Sequence, residues 1–183
     1  MGLNWVEDLV AQMYRLNGYM VVQDEDLIMP KTVSRSIRGH SDIDEIAIRQ
    51  NSIVHAECQS WWGPSKAEDP REFRRLADQF EHAPETIFRK YGFLEPERFT
   101  LSRAFVTSGR PKGGRGKGPW DRLETFCAGH EIELLEINTV IRRLARQLLE
   151  RYPGSGIIGK EPTLSRFLLH LIHAGFINRD SIA

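Results

Sequence analysis

Gly39-His40-Ser41-Asp42-Ile43-Asp44-Glu45-Ile46-Ala47-Ile48, a break at Gln50-Asn51-Ser52, then Ile53-Val54-His55-Ala56-Glu57-Cys58-Gln59: the fold turns on how this stretch is read. Two runs rich in aliphatic residues, separated by polar turn formers, predict two adjacent antiparallel strands. Alternation puts Val54, Ala56 and Cys58 on one face of the second strand and His55, Glu57 and Gln59 on the other. Pairing around the turn brings Asp44 beside Glu57. Two neighbouring carboxylates resist joint ionisation unless a cation lies between them. If the second strand is central, Glu57 is a buried acid and needs a partner or a metal; on an edge strand, water would serve. Asp42, Asp44 and Glu45 also admit a plainer reading, an acidic turn ahead of a strand.

Working outward, residues 4–16 carry Trp5, Leu9, Met13 and Leu16 at helical spacing, with Asn4 as a cap and Asn17-Gly18 as a stop. Tyr19 to Val22 reads as a short strand, and residues 23–41 as a loop or loose hairpin broken by Pro30 and Gly39. Downstream, residues 70–90 form an amphipathic helix with Phe73, Leu76, Ala77, Phe80 and Ile87 inward; Pro84 is placed to kink or split it. Phe99 to Thr107 is a further strand. The glycine-rich run Ser108 to Pro119 reads as a loop, Trp120 to Cys127 as a helix, Ile132 to Leu135 as a strand, and Asn138 to Tyr152 as a long helix. Pro153 to Gly156 is a linker, and a last helix spans 163–174. The expected organisation is a core over residues 1–152 and a C-terminal helical extension over 153–183. Strand–helix–strand crossings in the second half imply parallel pairing, so the fold class is an α/β sandwich with a mixed sheet.

Composition narrows the function classes. The 183 residues are 40% hydrophobic and 27% charged, an ordinary globular balance. No apolar run is long enough to span a bilayer, and the N-terminus does not read as a secretory signal. Two cysteines are too few for a disulfide framework or a cysteine-ligated zinc site; both read as buried, reduced thiols of a cytoplasmic protein. The net charge of zero divides unevenly. Residues 1–100 hold 12 Lys and Arg against 17 Asp and Glu, whereas residues 101–183 hold 13 against 8. That division suits a metal site beside a polyanion, and equally suits ordinary surface charge.

The Asp44 strand, the turn and the strand ending Glu57-Cys58-Gln59 resemble the core motif of the PD-(D/E)XK nuclease superfamily. So do the order of the flanking elements and the later strand ending Val106-Thr107-Ser108, which are similar to resolvase-like and Mrr-like members over about residues 3–150. The resemblance implies a restriction-endonuclease-like, three-layer sandwich with a mixed central sheet flanked by helices. It implies metal-dependent hydrolysis of phosphodiesters in DNA, with Mg²⁺ or Mn²⁺ as cofactor. Asp44, Glu57 and the backbone carbonyl of Cys58 would hold the metal, and Gln59 would position the attacking water. Gln59 stands where the family has lysine. An amide can hydrogen-bond a water but carries no charge; the alternative is therefore a catalytically silent member that binds nucleic acid or a protein partner.

Other residues carry two readings each. Glu7 fits the extra acid that many members bring from the first helix, and Asn4-X-X-Glu7 equally has capping-box spacing. Arg110, Lys112, Arg115 and Lys117 make the glycine-rich loop a candidate phosphate-contacting arm or a plain solvent loop. Arg35 and Arg38 precede the acidic motif and either hold the backbone or lie on the surface. Trp61-Trp62 combines a stacking candidate with a core candidate. The C-terminal helix reads as a packing or homodimerisation helix.

Overall fold

The computed structural model describes residues 5–28, 42–107, 114–153, 163–174 and 177. Five strands form one sheet in the order β1-β2-β3-β4-β5, with β1 at Met20–Asp26, β2 at Asp42–Arg49, β3 at Ser52–Gln59, β4 at Thr100–Thr107 and β5 at Ile132–Glu136. β1, β2 and β3 pair antiparallel; β3, β4 and β5 pair parallel. The helices are α1 (Trp5–Leu16), α2 (Pro64–Glu68), α3 (Pro70–Lys90), α4 (Gly114–Gly129), α5 (Ile137–Arg151) and α6 (Thr163–His173).

The sheet is buried on both sides, which makes the molecule a three-layer α/β sandwich. On one side Ala47, Val54, Ala56, Cys58, Ala104 and Val106 meet the apolar stripes of α1, α5 and α6. On the other, Ile46, Ile48, Ile53 and Phe105 meet α3 and α4, with Trp62 and Ala67 from the α2 region. β3 lies in the middle of the five, and its interior residues are all buried. The extension predicted after residue 152 adds its last helix to the first of these cores. Leu168, Leu169 and Ile172 sit with Val6, Leu9 and Leu144, and Ser165 hydrogen-bonds the buried Gln12.

Local chemistry explains most boundaries. α1 ends where Gly18 takes φ +80°, a left-handed conformation that costs glycine little, and its turn is closed by bonds from Gly18 and Tyr19 back to Arg15 and Tyr14. The hairpin turn is Gln50-Asn51, with Gln50 at φ 53°; Ser52 already belongs to β3. α3 begins with Pro70 in its first turn behind Asp69, whose carboxylate accepts from the Arg71 amide. It runs unbroken through Pro84, because Phe80, Ala83 and Ile87 remain buried on either side of it.

Three expectations need correction. β1 runs to Asp26 rather than ending at Val22, paired with β2 along its length. The short helix α2 was not foreseen. The glycine-rich loop does not extend to Pro119: α4 starts at Gly114 and contains Pro119. Burial of Trp120 and Leu123 against Phe105 outweighs the poor helix propensity of Gly114, Gly116, Gly118 and Pro119. Among the described residues, no helix is long and apolar enough to cross a membrane.

Candidate metal centre

The β2–β3 pairing couples Glu45 to Ala56. One step further along the same register, Asp44 lies opposite Glu57. The backbone N–H of Cys58 donates to Asp44 Oδ2 at 2.6 Å, which pins the aspartate to the adjoining strand. Because β3 is central, Glu57 is only 4% exposed, and the edge-strand reading of this acid is ruled out by position.

The Glu57 carboxyl is fastened on both oxygens. His55 Nε2 lies 2.6 Å from Oε1, and Gln79 Nε2 donates to Oε2 at 3.0 Å. Arg75 donates to Gln79 Oε1 at 3.1 Å. Arginine has no acceptor, so it fixes the orientation of the Gln79 amide and aims the NH₂ at Glu57. Arg75 in turn holds Glu72 at 3.3 Å. His55 is fully buried against Phe80, at 4.7 Å between ring centroids.

Protonation follows from burial. Desolvation, then the charge of Glu57, pushes Asp44 up to about 8, against the lowering effect of the Cys58 amide. Desolvation raises Glu57 well above the usual carboxylate range, with Arg75 pulling the other way. Burial, helped by Arg103, holds His55 down to about 3. The His55–Glu57 contact is therefore a hydrogen bond sharing one proton rather than a preformed ion pair. A buried carboxyl facing a partly buried one, both resisting ionisation, is what a divalent cation would relieve.

A cleft of about 1130 Å³ opens at this end of the sheet. Asp44, Glu57, Cys58 and Gln59 line it, and so does Glu7 from α1. Sequence alternation placed Glu57 and Gln59 on one face, and they do share this wall. Asp8, Asp24 and Asp42 add negative charge, and among the described residues Lys66 and Arg75 are the cations that line it. The donor set suits a hard cation that takes oxygen ligands and keeps several waters. Among the described residues no group of three or more His, Cys, Asp or Glu side chains is clustered for metal binding, so the fit is to two carboxylates and not to a cage.

Other candidates separate. Arg35, Arg38, Arg110 and Lys112 lie outside the described residues, as does Asn4, the partner of Glu7 in the capping-box reading. Arg115 and Lys117 belong to the first turns of α4 instead of a loop, and Lys117 is exposed. Trp62 is a core residue at 3% exposure, edge-on to Phe73 and Phe105; Trp61 is 61% exposed.

Sequence reading did not single out Gln79, Arg75 or Lys66. The available signal was Gln79 itself, a polar residue on the inner stripe of α3 between Leu76 and Ala83. Glu45, named in the sequence only as part of a possible acidic turn, lies inside β2. It is fully buried, with Oε1 accepting from Gln23 at 3.0 Å, and burial pushes it up to about 9.

No protein-family model matches the chain, and no curated protein does. Among solved structures, the chain is similar to the crystal structure of AF1548, a protein of unknown function. The two are 12% identical, the match covers 81% of this chain and 78% of that one, and the TM-score is 0.42.

Proposed function

We propose that the chain is a metal-dependent endonuclease of PD-(D/E)XK type that hydrolyses phosphodiester bonds in DNA. The observation that carries this reading is the placement of Asp44 opposite Glu57 at the mouth of a cleft, with Glu57 buried and Asp44 partly buried, both driven toward protonation by desolvation and Asp44 also by the charge of Glu57.

Asp44, Glu57 and the backbone carbonyl of Cys58 would hold Mg²⁺ or Mn²⁺, with Glu7 extending the site. When bound, the ion supplies Lewis-acid polarisation of the phosphate and a more acidic water. The protein's own groups do the rest. Cys58 N–H fixes Asp44. Gln79, oriented by Arg75, and His55 hold both oxygens of Glu57, so the carboxylate is positioned before substrate arrives. Gln59, on the same wall, can hydrogen-bond the attacking water. Arg115 and Lys117 at the start of α4, with Arg110, Lys112, Arg35 and Arg38, are the proposed phosphate contacts. Two buried free thiols are compatible with a cytoplasmic protein.

Incubation of supercoiled plasmid with the protein tests the reading. Nicking or linearisation is expected with Mg²⁺ or Mn²⁺, none with EDTA, and none for Asp44→Ala. Cleavage that survives Asp44→Ala would remove the assigned centre. The neutral amide of Gln59 favours one second reading, a silent nuclease fold that binds nucleic acid. It predicts salt-sensitive DNA binding with no cleavage in either metal.

A further inference from the structure

The cleft has a charge problem that the motif residues do not solve. Its proposed metal ligands are acidic, Asp8, Asp24 and Asp42 add to them, and Gln59 is neutral. A phosphodiester entering such a site meets repulsion that one divalent ion offsets only in part. Of the lining cations among the described residues, Lys66 and Arg75, Arg75 is occupied: its guanidinium donates to Gln79 and Glu72.

Lys66 is different. Among the described residues its ammonium makes no hydrogen bond and no ion pair; Glu72 and Arg75 act on it only through space, with opposite signs. The side chain is half-buried, and its backbone is held firmly. α2 follows β3 by a short turn, with Trp62 and the neighbouring Ala67 each 3% exposed in the core. Arg122 of α4 donates to the Ala67 carbonyl at 3.0 Å. The Lys66 and Ala67 amides both return to the Gly63 carbonyl, at 3.1 and 3.2 Å. A lysine with no partner among the described residues, set in a hydrogen-bonded turn and lining an acidic cleft, is poised for an anion that is not part of the chain. Burial lowers its pKa, as expected for an ammonium with no carboxylate against it.

We infer that Lys66 is the phosphate-binding cation of this site, supplying from α2 the positive charge that Gln59 does not carry. Its ammonium contacts a non-bridging oxygen of the scissile phosphate and stabilises the charge that builds on it. The inference rests on the proposed nuclease reading for its catalytic part; its binding part does not need cleavage.

Two readouts on Lys66→Ala and Lys66→Arg, each first checked for an unchanged melting temperature, test it. The first is affinity for a short DNA duplex with Ca²⁺ replacing Mg²⁺, measured across salt concentrations. Loss of one phosphate contact should weaken Lys66→Ala binding and lower the log–log salt slope by about 0.9, with Lys66→Arg close to wild type. The second is the single-turnover cleavage rate at saturating Mg²⁺. Lys66→Ala should fall roughly 10²-fold or more, and adding Gln59→Lys in that background should recover much of the loss. If wild type cleaves and Lys66→Ala matches it in rate and salt slope, Lys66 is a surface lysine and the inference is wrong. If no variant cleaves but the salt slope drops as stated, the nuclease reading fails while Lys66 stands as a phosphate contact. If the slope is unchanged and nothing cleaves, both fail.

Discussion

Asp44 shows how a single residue ties stability to function. Its carboxyl is pushed up to about 8, while the unfolded chain titrates near the ordinary aspartate value of 3.8. Between those values the folded protein holds a proton that the unfolded chain has released. Stability therefore falls as pH rises through this window, by up to about 1.4 kcal/mol per pH unit per group. Asp44→Asn keeps an acceptor for the Cys58 amide and removes the titration. The metal-free variant should be more stable than wild type at pH 8, with a flatter dependence on pH between 5 and 8. Mg²⁺ should raise the melting temperature of wild type and leave Asp44→Asn nearly unmoved. Thermal melts across pH, with and without the ion, measure this. A wild type whose metal-free stability is level over that range would show that Asp44 is solvated and does not face Glu57.

Among the elements, β1 is joined to the far end of α3 by one polar cluster. Glu25 is held by the Lys90 ammonium and the Tyr91 hydroxyl. These two hydrogen bonds, Lys90's first, set its carboxyl below the usual range. The sign is opposite to that of Asp44: stability from this link is present above the ordinary glutamate pKa and is lost as pH falls through the depressed one. The groups are partly solvated, so the effect is modest and salt-dependent. Glu25→Gln should destabilise at pH 7, and its difference from wild type should shrink as acidification protonates Glu25 through its depressed pKa. A constant difference at all pH values would mean that the side chain acts by packing alone. The sequence showed β1 only as far as Val22, because Gln23-Asp24-Glu25-Asp26 has the composition of a loop. Pairing with β2 and the anchor on α3 are tertiary, and no local pattern encodes them. α4 was foreshortened for a similar reason. β2, β3, β4, α3 and α5 were legible within a few residues because their burial is periodic and their bounds are marked by Gly, Pro, Asn or Asp.

At the scale of the whole molecule, the charge division between the two halves of the sequence is not reproduced as a basic lining to the cleft. The cleft is walled mostly by first-half residues, while Arg142, Arg143, Arg146 and Arg151 are exposed along α5. Asp44, Glu57 and Gln59 were legible because strand alternation and a tight turn are local rules that fix which side chains meet. The Gln79–Arg75 support and Lys66 were not, since they reach the cleft only when α2 and α3 fold back over the sheet. The account as a whole depends on one shared ion. Crystals soaked in Mn²⁺ and measured at its absorption edge locate that ion without any assay of activity. The account predicts a single strong anomalous peak between the Asp44 and Glu57 carboxylates, with oxygens at on the order of 2 Å, lost in Asp44→Ala. No peak there at saturating Mn²⁺, or a peak held by other residues, would contradict it.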